Sequence, residues 1–138
     1  MRLVTIIILA AASLAATLHP QPLNAQTVPP NTATAMAQPS VPTLGVSAFR
    51  KLTKTKTAYF LIDVRQPDEF AAGHIDGAIL MPLDRLPTEY TRIPKGVKLV
   101  VYCRSGHRSA QAVSFLRSNG YDKAVSLDGG FTAWSAAR

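Results

Sequence analysis

Cys103 is the only cysteine among 138 residues, and Arg104, His107 and Arg108 all lie within five positions after it. A thiol attacks as its thiolate, so the chemistry of such a residue depends on what lowers its pKa. The apolar run VKLVVYC, Val97 to Cys103, leads into Arg104, Ser105, Gly106, His107 and Arg108. The segment RSAQAVSFLRSNG follows, with Ala112, Val113, Phe115 and Leu116 on one helical face. This order predicts a buried strand that delivers Cys103 to a six-residue loop, with a helix starting near Ser109. Backbone N–H groups turned inward by such a loop, together with the positive end of the helix dipole, form an anion-binding nest. Gly106 permits the backbone angles that the turn needs. A thiolate held there should titrate below the ~8.5 of an ordinary cysteine. The competing reading is a small hydrophobe at a strand end. An inert core position, however, gains nothing from Arg104, Gly106, His107 and Arg108 directly after it. The residues therefore point to a nucleophile for a small oxyanion or a sulfur compound.

The elements that must position this loop are legible around it. VSAFRKLTKT places Val46, Phe49 and Leu52 at helical spacing, with Ser47 as a candidate cap. AYFLIDV (Ala58 to Val64), GAILMP and KAVSL are short apolar runs that predict buried strands. QPDEFAAG opens on proline and two acids and closes on glycine, the asymmetry of a short helix. Three prolines limit PLDRLPTEYTRIPKG to a turn or two of helix, and FTAWSAAR predicts a final short one. Arg117 and Gly120 mark the end of the helix after the cysteine loop. Strands alternating with helices, without a tight hairpin signal, predict an α/β fold with an open, mainly parallel sheet and helices on both faces. Ligands bind such sheets at the carboxyl ends of strands, where Cys103 sits.

Residues 1–25 combine Arg2, an apolar run and a polar, proline-bearing end, the layout of an export signal with cleavage after Ala25. An uncleaved membrane anchor is the alternative, although the apolar run is short for a span of ~20 residues. Residues 26–43 alternate Pro, Thr and Ala without charge and read as a flexible linker. The folded domain is then expected over 44–138, in a periplasmic or secreted location. All but Arg2 of the 15 Lys and Arg residues, and all 8 Asp and Glu, fall in that domain, within a formal net charge of +7. The basic residues are scattered and not interleaved with aromatics, which argues against nucleic acid as partner. A single cysteine excludes an internal disulfide and a cysteine-rich metal site within one chain.

The segments LIDVRQPDEFAAGHIDGAILMP, CRSGHRS and GGFTAW, in this order and at this spacing, resemble the single-domain rhodanese-like sulfurtransferases. The resemblance runs from about Phe60 to Trp134. It implies an open, mainly parallel five-stranded sheet and a cysteine that cycles between thiolate and persulfide without a cofactor. By it, Cys103 is the nucleophile, and Arg104, Ser105, Gly106, His107, Arg108 and Ser109 form the loop that cradles the persulfide. Asp63 and Arg65 match the D-V-R signature, Asp63 read as structural and Arg65 as a candidate for the anion pocket. His74, Gly129, Gly130 and Trp134 are read as structural: a satisfied histidine, a tight turn and a core aromatic.

The implied reaction moves sulfane sulfur from thiosulfate to a thiol or cyanide. Arg104 and Arg108 are the candidates for binding the donor's sulfonate, and His107 adds charge only when protonated. An exported low-pKa thiol is readily oxidised, so either a reductant partner or partial protection of Cys103 by its loop is expected, and a protein sulfur donor is a further candidate partner. A non-turnover persulfide carrier or relay is the alternative function. Cysteine phosphatases and arsenate reductases place five residues between Cys and Arg, whereas Cys103 and Arg108 enclose four. The smaller nest favours a single sulfur over a tetrahedral phosphate.

Overall fold

The computed structural model describes residues 40–137. The expected signal, 1–25, and the linker as far as residue 39 lie outside the described residues. The elements run β1 (Thr43–Leu44), α1 (Val46–Thr53), β2 (Tyr59–Asp63), α2 (Pro67–Ala72), β3 (Ile79–Leu80), α3 (Leu86–Glu89), a 3-10 turn (Tyr90–Arg92), β4 (Lys98–Tyr102), α4 (His107–Ser118), β5 (Ala124–Leu127) and α5 (Gly130–Ala136). They form one five-stranded sheet of order β1-β5-β4-β2-β3, and every pairing in it is parallel.

The sheet is built around β2 and β4, paired over five positions from Tyr59 with Lys98 to Asp63 with Tyr102. Period-2 alternation sends their side chains to two separate cores. Leu99, Val101 and Cys103 face Ala112, Val113 and Leu116 of α4. Val100 and Tyr102 face Phe49 of α1, with Phe131 and Trp134 of α5 packed alongside. Val100, Val101 and Tyr102 are wholly buried. Full burial of a side chain of the valine class contributes about 1.5–3 kcal/mol, so β4 is fixed along its length before the chain reaches the cysteine.

Helix ends follow from local chemistry. Pro67 stands in the first turn of α2, and the carboxylate of Glu69 accepts the Gln66 N–H at 3.2 Å. At the end of α4, the Tyr121 and Gly120 N–H groups reach back to the Leu116 and Arg117 carbonyls, with Gly120 at φ 85°. This paired closure satisfies two orphan carbonyls, and only the left-handed glycine allows it cheaply.

Three local features differ from the sequence reading. Ser47 does not cap α1: the helix starts after Gly45, which is extended, and Ser47 is exposed in the first turn. The strand β1 takes in Thr43, placed in the linker by composition, and the Ser126 N–H is bonded to the Pro42 carbonyl. Edge pairing of this kind uses backbone groups alone, which composition does not register. Finally, α4 starts at His107 rather than near Ser109, because Gly106 at φ 110° turns the chain directly into the helix and its carbonyl accepts the Ala110 N–H. The loop is thereby shortened to Cys103–Gly106, and His107 and Arg108 belong to the first helical turn.

Candidate active site

Cys103 directly follows β4, 1 % exposed, with its side chain on the α4 side of the sheet. The Gly106 N–H donates to Cys103 Sγ at 3.1 Å, and Ser109 Oγ stands 3.6 Å from the sulfur. Burial pushes the thiol pKa up, but the N–H and hydroxyl of Ser109 and the N–H groups of Gly106 and Ser105 outweigh it, so the thiol titrates below its ordinary value. Ser109 is fully buried in the first turn of α4, where its Oγ also meets the Gly106 carbonyl at 3.0 Å and Ser126 Oγ at 2.8 Å.

A second helix secures the other side of the loop. The Phe131 and Thr132 N–H groups of α5 donate to the carbonyls of Cys103 and Arg104, at 2.8 and 3.0 Å. These amides are otherwise orphans of a helix start, and the loop carbonyls satisfy them. Gly129 and Gly130, both at positive φ, make the turn that brings α5 in, and Gly130 is buried against the same two carbonyls.

The cations around the loop divide into bound and available. Arg108 is held by Glu69 through a two-pronged pair at 2.7 and 2.9 Å. Arg65, 3 % exposed, places Nε and Nη2 on the Asp63 carboxylate at 2.7–3.0 Å and Nη2 on the Gly73 carbonyl at 2.7 Å. Its guanidinium carbon lies 4.4 Å from the Phe131 ring centre. Burial opposes the charge on Arg65, and the bonds it donates to the Asp63 carboxylate, with that carboxylate's charge, more than restore it. Arg104 is exposed and lines a groove of about 610 Å³ with Glu69, Gly73 and Thr132. Ser105 and His107 are exposed on the opposite flank, beside a groove of about 820 Å³ that Gln111, Ser126 and Asp128 also line. His74 stacks on Phe70, ring centres 3.9 Å apart, with Nδ1 3.1 Å from the Phe70 carbonyl. Trp134 is half-buried, 5.3 Å from the Phe49 ring and under the Arg50 guanidinium at 4.7 Å.

Two site residues escaped the sequence reading. Glu69 was legible only as an acid at a helix start, and its partner Arg108 is 39 positions away. Ser126 is the one polar side chain of β5, Ala124–Leu127, and an inward serine in an apolar strand was the available signal. Among the described residues, no group of three or more His, Cys, Asp or Glu is placed to hold a metal ion.

The Glu69–Arg108 pair makes stability depend on pH. The two bonds from Arg108 outweigh burial and hold the Glu69 carboxyl at about 2, below its ordinary 4.5. A depressed carboxyl contributes stability that is full above the unfolded value of about 4.5 and is lost as pH falls towards 2. Discounted for the partial exposure of both partners, Glu69→Gln should cost about 1 kcal/mol at pH 7 and flatten the acid limb between pH 5 and 3. Urea unfolding at these pH values checks both effects, and parallel acid limbs in variant and parent would contradict them.

The Rhodanese-like domain family matches residues 46–137. A sulfurtransferase of Allochromatium vinosum is 43% identical over 89 residues, covering 64% of this chain and 82% of that protein. Thiosulfate sulfurtransferase GlpE of Tolumonas auensis is 39% identical over 74 residues, 54% of this chain and 70% of its own length. Among solved structures, a rhodanese-related protein from Thermoplasma volcanium superposes with a TM-score of 0.64 at 30% identity, covering 70% of this chain and 92% of that one. With one parallel sheet, a lone thiol at the strand-to-helix turn and relatives of this kind, the chain belongs to the rhodanese-like family of sulfurtransferases.

Proposed function

We propose that the protein is a thiosulfate sulfurtransferase that works through a persulfide on Cys103. The observation that carries this reading is the donor set on Sγ: the Gly106 N–H at 3.1 Å and the Ser109 hydroxyl at 3.6 Å, at the start of α4. The thiolate attacks the outer sulfur of thiosulfate, the S–S bond breaks, and its electron pair leaves with sulfite. A thiolate or cyanide acceptor then attacks the outer sulfur of the persulfide, giving an acceptor persulfide or thiocyanate and returning the Cys103 thiolate. In this reading the loop amides that favour the thiolate also cradle the outer sulfur.

Between the two candidate arginines, the geometry favours Arg104 for the sulfonate. Arg108 has both outer nitrogens on Glu69, whereas Arg104 is exposed on its groove. Arg104→Ala should raise KM for thiosulfate about tenfold with kcat little changed, the loss of one charge-assisted contact. Steady-state transfer from thiosulfate to cyanide, with mass spectrometry for added sulfur on Cys103, tests the assignment. A persulfide that forms from a sulfur-donor protein but never from thiosulfate would overturn it in favour of a relay.

The proposal includes export directed by residues 1–25, on the signal-like pattern of that segment. The 1 % exposure of Cys103 is consistent with a thiol shielded from oxidants outside the cytoplasm, with a reductant partner to restore it. Recovery of the protein solely in the cytoplasmic fraction, with Met1 and the following residues intact, would refute export.

A further inference from the structure

We infer that Ser126 is a positioning residue for the Cys103 nucleophile: its hydroxyl proton occupies Ser109 Oγ and leaves the Ser109 proton for the sulfur. The inference rests on the reading of Cys103 as the nucleophile, and it follows from counting protons. Ser126 is 2 % exposed, and among the described residues its Oγ has a single hydrogen-bond partner, Ser109 Oγ at 2.8 Å. Ser109 has a single proton, and when a thiolate takes it Ser109 Oγ can meet Ser126 Oγ only as an acceptor, so Ser126 donates. Ser109 has one proton of its own and two remaining acceptors, the Gly106 carbonyl at 3.0 Å and Cys103 Sγ at 3.6 Å.

A negative sulfur is the stronger acceptor of the two, so in the thiolate state the chain of donation runs from Ser126 to Ser109 to Sγ. A hydroxyl that accepts a bond donates more strongly, so the second serine reinforces the first. The sheet register fixes the arrangement: Ser126 pairs with Val101 of β4 and with Thr43 of β1. It thus lies beside the strand that ends at Cys103, with its side chain against α4. Of the charged and titratable groups around the loop, Arg108 is paired with Glu69 of α2 and Arg65 with Asp63 at the end of β2, while Arg104, His107 and Asp128 are exposed or half-exposed, and none of these side chains bonds Ser109 Oγ or Ser126 Oγ.

Because the protein has one cysteine, thiolate absorbance at 240 nm read against Cys103→Ser as blank reports on this sulfur alone. The midpoint for Ser126→Ala should move upward by about half a unit, a roughly threefold loss of thiolate below it, the size of one modest hydrogen bond. Ser126→Thr keeps the hydroxyl and should restore the parental midpoint. In a Ser109→Ala background, Ser126→Ala should add nothing. A purely structural Ser126 would lower Tm without moving the midpoint. The inference is overturned if the Ser126→Ala and parental titrations coincide in folded protein, or if the two substitutions add. Should Ser126→Ala not fold, an unmoved midpoint in Ser109→Ala overturns it equally. These titrations need no substrate, so they stand apart from the test of the proposed function, which fails if Cys103→Ser still turns over.

Discussion

Replacing Cys103 with serine should reduce thiosulfate-to-cyanide transfer by roughly a thousandfold or more, to the rate of the uncatalysed mixture. The reason is the mismatch between a hydroxyl and this pocket. The Gly106 N–H and the Ser109 hydroxyl stabilise a negative sulfur. Even with that help, a serine hydroxyl stays protonated at neutral pH, and among the described residues no side chain that could act as a general base bonds to this position. Oxygen also cannot carry sulfane sulfur as a stable persulfide. Folding should be nearly unaffected, since the substitution is small and the hydroxyl inherits the same hydrogen-bond partners. Transfer assays alongside thermal unfolding separate the two effects. Activity within tenfold of the parent would mean that sulfur passes through the protein by another route.

Gly130→Ala should be the most damaging substitution that touches no reacting atom. A Cβ at this position would lie 2.4 Å from the Cys103 carbonyl oxygen and 2.7 Å from that of Arg104. Both are backbone atoms already bonded to the Phe131 and Thr132 N–H groups, so neither can move without breaking the contact that holds the loop to α5. The residue also sits at φ 56°, which disfavours a side chain before any clash is counted. Strain and overpacking together should cost about 3–5 kcal/mol. Any protein that still folds should turn over about a hundredfold more slowly, because the carbonyls that shift belong to Cys103 and its neighbour. Gly77→Ala is the control: φ is 81°, but nothing lies within 4 Å of its Cβ, so only the backbone cost of about 1 kcal/mol should remain. Urea midpoints for both variants check the contrast, and equal losses would show that the clash is relieved.

What the sequence revealed and what it hid divide along sequence distance. The strand ending near Cys103, the glycine turn and the amphipathic helix are consecutive, so their order alone specified a thiol at a helix start. Gly106 was legible as a turn residue, but not that its left-handed φ would start α4 four residues on from the cysteine. Ser109 was legible as the residue near which the helix starts, whereas its burial comes from packing on β5. The pair of Arg108 and Glu69 depends on where α2 lies after the sheet assembles. Before that, Arg108 is indistinguishable from Arg104 as an anion binder. The strand β1 is two residues long and holds its place through the Pro42 and Leu44 carbonyls, which every residue type offers equally. Side-chain pattern carried the interior, and backbone pairing and long-range charge carried the remainder.

The cradle around the sulfur draws largely on main-chain N–H groups, and this divides what the loop must preserve from what it is free to change. Ser105 and His107 are exposed, with no side-chain bond to Sγ. Descendants of this chain could exchange those two side chains generation after generation while the geometry that readies the sulfur passes on intact. The loop can thus acquire a new clientele by drift at its rim, leaving its reactive heart unaltered.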